Sequence, residues 1–530
     1  MRPIQRVVGA FPRRQLAASV APLSSGLPRT TTARTLHTSH TVNASSYMSR
    51  TPFNFNARRC FTTAAGQPRT LISNDEGTVT VGPGYVSYAG PSPASDKTGI
   101  ESVSSAITYS RLRDCCPCPR CIHPSTRQKT HTSGEAFRET FELGNEVLDG
   151  RTVHPATNAE GEHGIEVHWP VAIDGHPHPS FYPISLLQRL ASGRVRGHTY
   201  LNDTLRRKLW DRESLLKDGK DLWIDFSELN GAADGEPFQL RPEVHLRLLE
   251  QLQLYGVAVV RGLPTDRTDN TDCRLREFAE TIGGLRNTFY GETWDVKSVV
   301  NSKNVAYTNL NLGLHMDLLY FALPPRFQFL HSLRNRVIGG ASYFVDSFAA
   351  ADKLRREQPH LYASLQANPL EYEYDNDNHY MTFQHPVLPA GELGGSDLHQ
   401  HINWSPPFQA PNVRPTKDAN GQYPVDPAAA ALAEETFYLA LSEFQRALDS
   451  PEFRYEFTMQ EGDIVLFDNQ RVLHARTAFR DKTDQEVKAD GTVIVPGEPT
   501  RWLKGCYLDG STVWDKLAVL NDQVRGVTSV

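Results

Sequence analysis

Apolar and polar positions alternate in many short runs along this chain. "GTVTVGPGYVSYAG" alternates apolar with small or polar residues and reads as a strand and a turn. "GIEVHWPVAIDGHPHPSFYPISLLQRL" has period two through Ile165, Val167 and Trp169, then a turn and a short helix. Val244, Leu246, Leu248, Leu249 and Leu252 mark an amphipathic helix, and "YGVAVVRGLP" after it is a strand bounded by Gly and Pro. Further β-prone runs follow: "ASYFVDSF", "EYEYD", "YMTFQHPVL", "DIVLFDNQRVL" and "RWLKGCYLDG". Turns and a few helices such as "AAAALAEETFYLALSEFQRAL" separate them. Scattered short strands with long insertions predict a β-sandwich or jelly roll rather than a βαβ array. Residues 187–221 are polar and charged and read as a surface helix and linker, which places a domain boundary over 191–221. The expected organisation is a leader over 1–70, a small β-rich domain over 71–190, the linker, and a jelly-roll domain over 222–530.

Composition narrows the class. With 530 residues, 39% hydrophobic and 22% charged, the chain is long enough for two or three domains with a sizeable core. A net charge of −6 gives no basic field for nucleic acid, and no stretch approaches the ~20 apolar residues of a membrane helix. The first 70 residues hold no Asp, Glu or Lys but many Arg, Ser, Thr and Ala, the composition of a mitochondrial transit peptide. Arg59, two residues before Phe61, resembles a matrix-protease cleavage signal. The localisation expected is therefore the mitochondrial matrix.

Two constellations carry chemistry. Four of the seven cysteines fall within Cys115–Cys121. Cys116, Cys118 and Cys121 form C-x-C-x-x-C, punctuated by Pro117 and Pro119, which suits a tight loop around a tetrahedral ion. His178, where the turn meets the short helix, is the chosen fourth ligand, with His176, His123 and Cys115 as competitors. A closed Cys3His set predicts structural zinc. The second constellation lies in "NLGLHMDLLYF". On a strand, His315 and Asp317 point the same way and Met316 the other. For an isolated His-x-Asp the commoner meaning is a buried hydrogen bond. His474, after "EGDIVLFDNQRVL", adds a second imidazole. Two His and one carboxylate make the facial set of non-haem Fe(II) oxygenases, which leaves three coordination positions open.

From about Thr78 to the end, the chain resembles the γ-butyrobetaine and trimethyllysine hydroxylases of the Fe(II)/2-oxoglutarate oxygenases. The resemblance rests on "LRDCCPCPRC", "EVHWP", "TFYGETWDV", "NVAYTNLNLGLHMD", "FVDSF", "FDNQRVLHAR" and "RWLKGCYLDG", in that order. It implies a double-stranded β-helix preceded by a small zinc-containing domain, with His315, Asp317 and His474 as iron ligands. It implies that Arg501 grips the distal carboxylate of 2-oxoglutarate, a task for which a guanidinium fork is well shaped. Arg476 and Arg480 are rivals, because "DKTDQEVKADGTVIVPGEPT" lengthens the connection before Arg501. Tyr290, Trp294, Tyr307 and Tyr507 match an aromatic cage for a trimethylammonium group, and Asn304 matches a carboxylate-binding asparagine. The second clamp asparagine of the family is replaced by "HINWSPPFQ", with Asn403 present and Ser405 and Pro406 near the expected place. The implied reaction decarboxylates 2-oxoglutarate to succinate and CO2 while hydroxylating the substrate, with ascorbate as a supporting reductant. The expected partners are 2-oxoglutarate, O2 and a trimethylammonium acid, and a homodimer is the expected assembly. Asn304 points to γ-butyrobetaine and carnitine biosynthesis. The mitochondrial leader points to trimethyllysine. A related betaine or small carboxylate, and a metal-stabilised binding protein without catalysis, are the other readings.

Overall fold

The computed structural model describes residues 67–91, 102–142, 152–169, 178–192, 205–233, 235–297, 308–391 and 401–526. The leader up to residue 66, His176, Asn304 and Tyr307 lie outside them. The first sheet is an antiparallel meander of β1 (Arg69–Asn74), β2 (Gly77–Gly82), β3 (Tyr85–Pro91) and β4 (Ser102–Thr108). β1 therefore takes in Arg69 and Thr70, the last two residues of the expected leader. A second sheet holds β5 (Val153–Thr157), β6 (His163–Trp169) and β7 (His178–Pro183), and the helix Ile184–Ser192 follows directly. His178 thus opens a strand rather than the short helix. The alternation read in both segments is real. Val79, Val81 and Ile107 of one sheet share a buried cluster with Val153, Ile165, Val167 and Trp169 of the other.

The remaining strands are β8 (Trp223–Asp225), β9 (Val257–Arg261), β10 (Thr293–Lys297), β11 (Leu312–His315), β12 (Phe327–Asn335), β13 (Val337–Gly339) and β14 (Ser342–Asp346). Then come β15 (Pro369–Asn376), β16 (His379–Pro386), β17 (Tyr455–Phe457), β18 (Ile464–Asp468), β19 (Val472–Arg476), β20 (Phe479–Asp481) and β21 (Arg501–Leu508). Six of them form a sheet in the order β10-β21-β12-β18-β9-β8, and four form another in the order β11-β19-β14-β17. Val257, Val259, Val465, Phe467 and Leu503 of the larger sheet meet Phe344, Val472 and Tyr455 of the smaller in one cluster. The alternate residues, among them Ala258, Val260, Phe329 and Leu466, share a second cluster with the helices Pro242–Tyr255 and Gly510–Arg525. Strand periodicity thus sends successive side chains into two different cores, and the two sheets form a jelly-roll sandwich.

Local signals set the element ends. The helix Pro242–Tyr255 has Pro at its first position, and Gly256 closes it at φ +75° with its N–H on the Leu252 carbonyl. β15 and β16 are joined by Asp377 and Asn378, both at positive φ, a two-residue turn of the kind that matches strand twist.

The expected linker needs correction. Residues 205–222 are built into the jelly roll: Leu205, Trp210, Leu215 and Leu222 are all buried in its clusters. The Trp210 indole N–H donates to the Tyr255 carbonyl at 2.6 Å, and its backbone N–H to Asp346 at 3.0 Å. The polar residues between these anchors mask them in the sequence. The segment between His474 and Arg501 carries a short exposed helix, Asp484–Asp490, and is tied down by Glu498, which accepts from Arg334 and Arg336.

Candidate active site

His315 and His474 are cross-strand neighbours, since β11 and β19 pair with these two residues opposite each other. Their ring centroids are 4.1 Å apart. Asp317 does not lie on the strand: β11 ends at His315, and Leu318 adopts φ +66°. The chain turns there, and the turn brings the Asp317 carboxylate to 3.5 Å from His315 Nε2 and 4.0 Å from His474 Nε2. A left-handed leucine is uncommon, and such backbone strain clusters at functional sites. Asn469, fully buried between β18 and β19, holds the turn. Its side-chain oxygen accepts from the Asp317 N–H at 2.9 Å, and its amide donates to the Asp317 and Pro325 carbonyls at 3.1 Å.

The surroundings of the three donors orient them and favour the metal-binding forms of His474 and Asp317. His315 Nδ1 donates to the Gly313 carbonyl at 2.9 Å, which turns Nε2 toward Asp317. Burial and the neighbouring His315 depress His474 to a pKa of about 3, so it is neutral. Burial pushes the Asp317 carboxyl up, but its hydrogen-bonding and electrostatic interactions with His315, His474 and Tyr507 outweigh it and hold the carboxyl well below its usual range. Asp317 Oδ2 also accepts from Gln328 Nε2 and the Tyr507 hydroxyl, each at 2.8 Å. Gln328 and Tyr507 face each other across β12 and β21. Burial and the adjacent carboxylate raise the Tyr507 hydroxyl, so it keeps the proton it donates. One ligating atom from each of His315, Asp317 and His474 lies within 4.8 Å of the others, a set that can hold one ion with three positions left open.

This set opens onto a cavity of about 910 Å³ including its mouth. One end holds Arg476 and Arg501. Arg476 donates to the Thr308 and Leu310 carbonyls and is occupied with holding that segment. Arg480 is exposed and paired with Glu486. Arg501 is buried against the Phe479 ring, and its Nε has no hydrogen-bond partner. Arg476 and Arg501 both line the cavity, and the commitment of Arg476 to the two carbonyls makes Arg501 the better placed of them to receive an anion. The other end is aromatic. Trp294 stacks on Tyr507 with centroids 4.1 Å apart and planes at 24°, and Tyr290 lines the same cavity. Tyr320 and Phe408 extend this wall; neither was singled out in the sequence, where each reads as an ordinary core aromatic. Gly505 was also missed. It is opposite Trp294, and a Cβ there would come within 2.6 Å of the indole. A glycine inside a β-strand was its one visible signal. Asn403 is turned away from the cavity, with its amide on the Pro386 carbonyl at 2.8 Å.

The cysteine set is also assembled. His178 Nε2 lies 3.5 Å from Cys116 Sγ, 3.3 Å from Cys118 Sγ and 3.4 Å from Cys121 Sγ. A tetrahedral ion bound at about 2.3 Å to sulfur and 2.0 Å to nitrogen would hold such donors about 3.5 Å apart. Arg113 donates to Cys121 Sγ, and Cys116 Sγ donates to Ser180 Oγ, outer hydrogen bonds that orient the sulfurs. Cys115 stands outside the set, and His123 is engaged with Ser125 and Thr126.

Comparison with known proteins places these residues in a family. Residues 227–507 match the model of the taurine catabolism dioxygenase TauD, TfdA family. The chain is 40% identical to dioxygenase str8 of Strobilurus tenacellus over 407 residues, 76% of this chain and 83% of that one. It is 27% identical to the γ-butyrobetaine dioxygenase of a Pseudomonas species, over 77% of this chain and 89% of that one. It is 24% identical to the trimethyllysine dioxygenase of Neurospora crassa, over 69% and 74%. The chain belongs to the TauD/TfdA family and is a 2-oxoglutarate-dependent dioxygenase related to the γ-butyrobetaine and trimethyllysine dioxygenases.

Proposed function

We propose that the protein hydroxylates a trimethylammonium carboxylate, with γ-butyrobetaine converted to carnitine as the specific reaction. The supporting observation is the wall of Tyr290, Trp294 and Tyr507 beside His315, Asp317 and His474. A quaternary ammonium offers no N–H for hydrogen bonding and is recognised by the negative faces of aromatic rings. In this reading His315, Asp317 and His474 hold Fe(II), and Arg501 receives the distal carboxylate of 2-oxoglutarate. Bound iron and 2-oxoglutarate supply the oxidation of the C–H bond by O2. The protein's part is to place that bond. The aromatic wall fixes one end of the substrate, Asn304 and Tyr307 act from the segment outside the described residues, and the apolar side chains Leu312, Leu318 and Leu503 exclude water from the reacting carbon. Ascorbate would keep the iron reduced. The Cys116, Cys118, Cys121 and His178 set is assigned to structural zinc, and the Arg- and Ser-rich leader to import into the mitochondrial matrix.

A second reading has its own support. The orientation of Asn403 removes a candidate for the second clamp residue, and this favours a related betaine or small carboxylate with a different tail. One assay separates the readings: succinate release from 2-oxoglutarate in the presence of γ-butyrobetaine, trimethyllysine and shorter betaines. γ-Butyrobetaine is expected to couple best. Trimethyllysine carries an additional α-ammonium that would meet no acid at position 304, a mismatch costing on the order of 1–3 kcal/mol, or roughly ten- to a hundredfold. Asn304→Asp should narrow or reverse that preference. Better coupling with trimethyllysine in the unaltered enzyme would reject the γ-butyrobetaine assignment.

A further inference from the structure

We propose that His154, Glu166 and His168 form a separate, solvent-facing site for a divalent transition-metal ion of the zinc, nickel and copper class. The fold places all three on one face. His154 is the direct cross-strand partner of Glu166 in the β5–β6 pair, and His168 follows Glu166 by two residues on β6. Alternation therefore sends Val153, Ile165, Val167 and Trp169 into the core and His154, Glu166 and His168 outward. The donors converge. His168 Nε2 contacts Glu166 Oε1, and His154 Nε2 is 3.9 Å from the same oxygen. The two rings are 5.3 Å apart between centroids, and one ligating atom from each residue lies within 4.8 Å of the others. An ion bound to three such donors at about 2.0–2.1 Å holds them roughly 3 Å apart. The side chains are 34–46% exposed, so they are free to close that gap by rotation.

The chemistry of the donors selects the ion. Two imidazoles and one carboxylate suit zinc, nickel and copper, whereas magnesium and calcium prefer oxygen donors alone. The site is distinct from the cysteine set. β6 pairs with β7 so that Trp169 faces His178 on the inner side, while His168 faces Pro179 on the outer side. One three-stranded sheet thus carries the imidazole of the cysteine set on its buried face and a mixed imidazole and carboxylate set on its solvent face.

The test is a Cu(II) titration of the untagged full chain followed by electron paramagnetic resonance, with copper chosen because it binds such donors most tightly. His154→Ala and His168→Ala should each take up one equivalent fewer than the unaltered protein, and the difference spectrum against it should carry the nitrogen hyperfine pattern of two imidazoles. Copper bound at the other donor sets is common to all the proteins and cancels in the difference. Glu166→Gln should keep the two nitrogens and bind at least tenfold more weakly. Zn(II) and Ni(II) should compete, and Mg(II) at a hundredfold excess should not. His168→Gln provides the same count should His168→Ala melt early. Equal copper uptake and identical spectra in the unaltered protein and all the histidine variants would overturn the proposal, as would displacement by Mg(II).

Discussion

Tyr507 serves two neighbours at once. Its ring stacks on Trp294, while its hydroxyl holds the Asp317 oxygen that Gln328 also holds. Tyr507→Phe keeps the ring and removes one of the two donors to Oδ2. Hydrogen bonds that orient a ligand typically contribute 10–100-fold in metal affinity or activity. Tyr507→Phe should therefore weaken anaerobic Fe(II) binding by roughly tenfold while leaving substrate KM nearly unchanged. Unchanged iron affinity would mean that the hydroxyl does not orient Asp317. Arg501 invites a second test. Arg501→Met should raise the KM for 2-oxoglutarate by roughly ten- to a hundredfold, because a charge-assisted hydrogen bond is worth about 1.5–3 kcal/mol. Arg480→Met, on an exposed residue, should leave it unchanged, and a rise there instead would transfer the role. These roles were only partly legible. An arginine opening a late strand can be read from the sequence. That Arg476 is already committed to the Thr308 and Leu310 carbonyls depends on the tertiary structure.

At the scale of elements, the loop between β18 and β19 governs the turn after β11. Replacing Asn469 with Ala leaves the Asp317 N–H and two carbonyls without their side-chain partners. Each unsatisfied buried polar group costs about 1–3 kcal/mol. Asn469→Ala should lower stability by at least that amount and weaken iron binding together, whereas Leu448→Val, in the core away from the site, should lower stability alone. Chemical denaturation paired with Fe(II) titration distinguishes the two, and a stable Asn469→Ala protein with full iron affinity would refute the linkage. Strand identities were legible because apolar runs bounded by Gly, Pro, Asp and Asn have few other outcomes. The turn at Met316–Leu318 was not, because "LHMDLLY" is as suitable for a continuous strand. What breaks the strand is Asn469, more than 150 residues later in the chain.

Across the whole molecule, the buried cluster beneath the cysteine set and the two clusters of the jelly roll have no residue in common. Cys118→Ser or Cys121→Ser should release the ion from its set and lower the melting of the small sheets, since a closed thiolate site contributes folding free energy directly. His315→Ala or His474→Ala should abolish coupled turnover and leave that ion bound. Metal analysis of the four proteins checks both, and loss of the cysteine-bound ion in the histidine variants would contradict the separation. The Cys3His set was legible in its thiol spacing, but the anchors at Trp210 and Leu215 were not, because they are isolated apolar residues in a charged stretch and only the fold shows that they are anchors. β21 carries a last implication. Its cavity-facing residues, Arg501, Leu503, Gly505 and Tyr507, run from the arginine end to the aromatic end over about 20 Å, at 3.3 Å per residue. The strand is a ruler with four marks. A single residue gained or lost within it would turn every mark beyond that point to the opposite face, whereas the twenty residues just before it are held by Glu498 and leave the register alone. Evolution is thus free to lengthen this enzyme by whole helices at one point and forbidden to lengthen it by one residue a few positions later.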